Sequence, residues 1–233
     1  MTSRVATITW RTPPPTSVDE ELVVLDDDTA VFVVRRPRRD TSAIGSYAGV
    51  PTHADIAALT AAGAGPQMFD LRAPGPTAGS SVVRDVADRV ASELLATPRA
   101  VVTFHAHSPG AAGDSAASFT LLAVGAGTHA VAFQLDPDAS SVQFFAADGQ
   151  PMSWQDLPPL PTGFITPDAE GLGGVRRRAA IAPGAYGAIA FTATPPPGAA
   201  QVAILVAGWL SDALPDVTTP ERFLVRTALA PIP

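Results

Sequence analysis

The chain has 233 residues, of which 46% are hydrophobic and 16% charged, with a formal net charge of −7 and no cysteine. That length fits one large β-rich domain or two small ones, and the apolar content is that of a folded chain with a real core. Without cysteine there is no disulfide, thiolate metal site, iron–sulfur cluster or cysteine nucleophile, and the acidic balance disfavours non-specific nucleic-acid binding.

All fifteen basic residues are arginine, a skew that with abundant Ala, Gly and Pro matches a GC-rich bacterial coding sequence. No apolar run reaches the roughly 18 residues that cross a bilayer, so no membrane partner is expected. The first ten residues hold no secretory h-region, which makes the cytoplasm the expected compartment.

In chain order, Val5 to Trp10 alternates apolar and polar residues and predicts a first strand, stopped by Pro13-Pro14-Pro15. Glu21 to Leu25 and Ala30 to Arg35 predict a hairpin across Asp26-Asp27-Asp28-Thr29, where aspartates can bond nearby backbone N–H groups. A loop rich in Ser and Gly follows. Thr52 and Asp55 have the spacing of an N-cap and its N3 partner, so a helix is expected from there to Gly63.

Residues 64 to 80 read as a loop with one short strand near Gln67 to Leu71. Ser81 to Thr97 predicts the clearest helix, with Val83, Val86, Ala87, Val90 and Leu94 on one stripe. Beyond Pro98 the pattern is β: Ala100 to His107, Phe119 to Val124, Thr128 to Leu135 and Ser141 to Phe145, with turns at Gly125-Ala126-Gly127 and Asp148-Gly149. Residues 151 to 174 read as a long loop, Val175 to Ile181 as a strand and Arg222 to Leu229 as a closing strand.

Two uncharged runs, residues 185–194 and Gln201 to Leu210, flank Pro195-Pro196-Pro197-Gly198. They read as a hairpin-like pair with both faces covered and Gly198 at positive φ. The expected fold is therefore α+β and β-rich: an antiparallel β-sandwich, jelly-roll or Ig-like, carrying two helices from the N-terminal half. Residues 1–98 form a mixed region and 99–233 the sandwich region, with one continuous domain as the alternative.

Chemistry is sparse. His105 and His107 are two apart on a strand and so project to one face, where two neutral imidazoles can share a divalent transition metal. His129 on a neighbouring strand and Asp114 in the adjoining loop are the candidate further ligands. The His-x-His strand is similar to part of the cupin signature, which implies a metal-dependent enzyme or sensor. The glycine before the pair and the glutamate after it in that signature are absent. Gly113-Asp114-Ser115 is similar to two serine-hydrolase nucleophile motifs, but its continuation fits neither and no Gly-x-Ser-x-Gly elbow occurs.

Arg35, Arg36, Arg38 and Arg39, together with Arg176, Arg177 and Arg178, are the basic clusters, candidates for an anion or acidic-partner patch. Trp10, Trp154 and Trp209 are candidate ligand or interface aromatics, core filling being the plainer role. No catalytic motif survives and no cofactor is expected, so the leading reading is a non-catalytic protein-interaction or assembly module with a protein partner or a second copy. A His-x-His metalloprotein and a ligand- or glycan-binding sandwich are the alternatives.

Overall fold

A computed structural model describes residues 3–12, 18–38, 41–61, 66–70, 78–112, 116–157, 178–211 and 221–233. Within them lie two β-sheets and two helices in three layers. The first sheet holds eight strands in the order β12-β7-β6-β4-β3-β2-β1-β5. These are β1 (Arg4–Arg11), β2 (Asp19–Leu25), β3 (Ala30–Arg36), β4 (Ala43–Gly49), β5 (Pro66–Asp70), β6 (Pro98–Ala112), β7 (Ala116–Gly127) and β12 (Tyr186–Ala193). All its pairings are antiparallel except β1 with β5. Strands from both sides of residue 98 share this sheet.

The second sheet is built around β13 (Gln201–Ser211). Along one edge of it run β8 (Val131–Leu135) and β9 (Ser141–Phe145), end to end. Along the other run β14 (Glu221–Arg226) and β15 (Ala230–Pro231). Each pair of end-to-end strands leaves a gap in the ladder, and a hydroxyl fills it. Ser140 Oγ accepts the Ala207 N–H at 2.9 Å, and Thr227 Oγ1 accepts the Ile204 N–H at 2.9 Å. No buried N–H of the central strand is stranded at either gap, where an unmet donor would cost about 1–3 kcal/mol. β10 (Pro151–Asp156) pairs with β9, and β11 (Arg178–Ile181) with β8.

The inner faces of the two sheets meet in one core. Phe104 and Phe119 of the first sheet reach Phe133, Phe223 and Phe144 of the second, at centroid distances of 5.5, 6.0 and 5.9 Å. A second core lies on the other side of the first sheet, under helices α1 (His53–Ala61) and α2 (Ala78–Leu94). There Ile56, Leu59, Ala87, Val90 and Leu94 cover Ile8, Trp10, Leu22, Val24 and Phe32. This explains why β2 and β3 read as unbroken apolar runs: both faces are buried.

Local signals account for the element ends. The β2–β3 hairpin turns with Asp28 at φ +64°, and Asp27 Oδ1 accepts the Thr29 N–H at 3.0 Å. At the start of α1, Thr52 Oγ1 accepts the Asp55 N–H at 3.2 Å and donates to Asp55 Oδ2 at 2.7 Å. The Thr52 hydrogen bond, against the opposing effect of burial and with the help of Arg89, holds the Asp55 carboxyl below the usual carboxylate range.

Several expectations are corrected. The runs flanking the triple proline do not pair with each other: β12 is an edge strand of the first sheet and β13 the centre of the second. The prolines carry the chain across the sandwich, with Gly198 at φ +86° in the turn. β12 is covered on one face only, its residues alternating between buried and exposed from Ala188 to Ala193. The Ser- and Gly-rich stretch contains β4, residues 151–156 form β10 rather than loop, and Gly125 to Gly127 continue β7 instead of turning. Gly45, at φ +133° in β4, lies so close to the Ala100 carbonyl that a Cβ would strike it. Among the described residues no helix is long and apolar enough to cross a membrane.

Candidate functional site

The helical layer covers only part of the first sheet. Val101 of β6 lies beneath it, but further along the same face Thr103 is half-buried and His105 and His107 are exposed. From there outward, the face of β6, β7 and β12 away from the sandwich core has no element over it among the described residues. Register sets its rows: Thr103–Val124–Tyr186, His105–Leu122–Ala188, His107–Thr120–Ala190 and Ser118–Thr192. The face is about 14 Å across and 27 Å long, on the order of 400 Å², from strand spacing and rise. None of its side chains is Asp, Glu, Lys or Arg. Tyr186, 74% exposed, stands at its corner.

Beside this face runs an edge, the outer side of β12, that no other strand pairs among the described residues. Just past its end, the Thr194 N–H and carbonyl bond the Gln155 side chain. The Gly125 N–H bonds the Ala185 carbonyl at 2.9 Å, so Ala185 and alternate residues after it direct their backbone groups at β7. Tyr186, Ala188, Ala190 and Thr192 therefore direct their N–H and C=O outward. Edge strands are normally blunted by charge, proline or shortness. β5 has Pro66 and Asp70, β10 has Pro151 and Asp156, β11 is four residues with Arg178, β14 has Glu221, Arg222 and Arg226, and β15 is two residues ending in Pro231. β12 has eight residues, Tyr-Gly-Ala-Ile-Ala-Phe-Thr-Ala, without charge or proline.

Within the arginine cluster, Arg35 and Arg38 are engaged in ion pairs with carboxylates of the chain itself. Arg35 is 2% exposed and lies where the two sheets meet. Its guanidinium holds Glu21 at 2.7 Å, Asp19 at 3.3 Å and, through Nε, Glu221 of β14 at 2.6 Å. Burial works against its charge, but Glu221, Glu21 and Asp19 outweigh that and raise its pKa. It is a clamp between sheets, flanked by a cleft of about 430 Å³ that Arg11, Arg36 and Arg222 also line. Arg38 pairs with Glu20 and with Asp88 of α2 at 2.7 Å, and lies 4.6 Å from the Trp10 ring centroid. Arg39, Arg176 and Arg177 lie outside the described residues; the backbone of Arg178 pairs with Gln134.

The histidines do not share a place. His105 and His107 stand on the bare face beside Leu122 and Thr120. The His129 N–H bonds the Arg99 carbonyl, six residues and so about 20 Å from His105 along β6. Asp114 lies outside the described residues, among which no group of three His, Cys, Asp or Glu could hold a metal ion. Trp10 is fully buried, edge-on to Phe32 at 6.0 Å. Trp154 (75% exposed) and Trp209 both lie on the outer face of the second sheet, the latter with the Arg222 guanidinium 5.8 Å from its ring.

The outward residues of β12 escaped the sequence reading, although a signal existed. Ile189 and Phe191 are two apart with Ala and Thr between and around them, the period of a strand with one buried face.

No protein-family model matches the sequence, and no curated protein matches it. Two solved structures show weak likeness. One is described as an ApaA protein from Bordetella pertussis, with 12% identity, 58% of this chain and 95% of that chain covered, and a TM-score of 0.35. The other is a structural-genomics target at 12% identity, covering 56% of this chain and 83% of that chain, with a TM-score of 0.29.

Proposed function

We propose that the protein is a non-catalytic interaction or assembly module that holds a protein partner on the bare face of β6, β7 and β12. One observation carries the reading: an uncharged face adjoins an unblunted edge strand, while every other edge strand described has charge, proline or both. The face, on the order of 400 Å² from strand spacing and rise, sets Leu122, Val124, Tyr186, Ala188 and Ala190 among Ser, Thr and His side chains, the mixed uncharged character of many protein interfaces. The best-placed ionisable groups are spent on structure, with Arg35 joining the sheets and Arg38 tying α2 to β2.

Native mass spectrometry of the full chain checks this. The reading predicts a stoichiometric protein complex heavier than 23.9 kDa that Leu122→Glu disperses. A wild-type chain found only at single-chain mass contradicts it. A second reading, ligand or glycan binding on the other sheet, is favoured by the exposure of Trp154. It predicts thermal-shift ligands whose effect disappears in Trp154→Ala.

A further inference from the structure

We infer that the occupant of the β12 edge is a second copy of this chain, joined β12 to β12 about a two-fold axis at Ile189. The inference rests on the interaction reading above and names its partner and register.

The strand is self-complementary in that register. An antiparallel two-fold pairing centred on Ile189 sets residue i opposite residue 378 − i of the other copy. Tyr186 then meets Thr192, and Ala188 meets Ala190, each pair drawn from residues whose backbone groups point outward. All four outward N–H and C=O pairs find partners. On the core side Phe191 meets Gly187 and Ile189 meets its own copy. Each of the two aromatic side chains is thus set against a small one, and a ring laid over a glycine restores the packing that glycine lacks. Centres at Ala188 or Ala190 keep the hydrogen-bond pattern but set Thr192 against Gly184, or Tyr186 against Thr194, whose N–H already bonds Gln155 Oε1. The centre at Ile189 pairs all four outward residues within β12.

Two further features favour a copy over a foreign strand. A closed two-fold contact needs one patch complementary to itself, and this patch has no charge with which to select a charged partner. It also puts the two net-negative chains in contact through a neutral strip. The paired edges make the two bare faces continuous, on the order of 800 Å² of uncharged sheet.

The test is sedimentation velocity of the full chain across a hundredfold concentration range. Ala190→Pro is the decisive variant. The Ala190 N–H points away from β7, so proline removes no bond from the chain's own ladder but blocks an incoming strand. The wild type should sediment at twice the single-chain mass and Ala190→Pro at the single-chain mass, with the far-ultraviolet circular dichroism of the wild type kept. The wild type alone should have a melting temperature that rises with concentration. If Ala190→Pro loses its fold, Ala188→Pro repeats the test at the neighbouring outward amide. A wild type at single-chain mass throughout overturns the inference, as does a dimer that both proline variants leave intact. A complex with a different protein, undisturbed by Ala190→Pro, sinks the β12 dimer while leaving the interaction reading standing.

Discussion

The eight-stranded sheet has two halves with opposite fates. Across β1 to β4, helices α1 and α2 bury the face that the second sheet does not, and both sides of β2 and β3 are core. Across the far parts of β6 and β7 and all of β12, the same sheet has one buried side and one bare. The residues follow the difference. The covered half uses Leu, Val, Ile and Phe on both faces, whereas the bare half places Ala, Ser, Thr and His outward around Leu122, Val124 and Tyr186. Bare is not the same as charged: no carboxylate, guanidinium or ammonium stands there.

The largest predicted effect breaks the joint that holds the covered half to the second sheet. Arg35→Ala removes a buried cation and leaves Asp19, Glu21 and Glu221 facing one another. Loss of one partner from such a network costs about 3–5 kcal/mol, read as a lower denaturant midpoint. Next comes a matched pair of leucines. Leu59→Ala, beneath α1 and fully buried, should cost about 2–5 kcal/mol. Leu122→Ala on the bare face should cost under about 1 kcal/mol in the single chain. Equal costs would mean that the bare half is covered within one chain.

A smaller effect appears in alkali. Burial, with the negative charge of Glu20 nearby, pushes the Tyr47 phenol up to about 12. The fold favours the neutral phenol, so this contribution is complete below the ordinary tyrosine pKa of about 10. It is lost as pH rises from there through about 12. The chain should lose about 2 kcal/mol of stability over that window, and Tyr47→Phe should flatten the loss. A pH-independent wild type would place Tyr47 in water.

Much of this architecture was legible because its signals were local. Thr52 and Asp55 announced α1, the aspartates of residues 26–28 announced the first hairpin, and the stripe from Val83 to Leu94 announced α2. The layered assignment of the uncharged runs was not legible. Ala188, Ala190 and Thr192 look the same in a core and on a bare face, since small residues have no charge to reveal water. Only pairing with β7 on one side and with nothing described on the other separates β12 from β13. The arginines of residues 35 and 38 misled for a related reason: their carboxylate partners, from Asp19 to Glu221, lie far apart in sequence and meet only through the fold.

Residue-resolved amide exchange of β12 at several protein concentrations tests the central claim most directly. The account predicts that the amides of Tyr186, Ala188, Ala190 and Thr192 are protected at high concentration and exchange freely on dilution, while those of Gly187, Ile189 and Phe191 stay protected throughout. Outward amides that exchange freely at every concentration would contradict it.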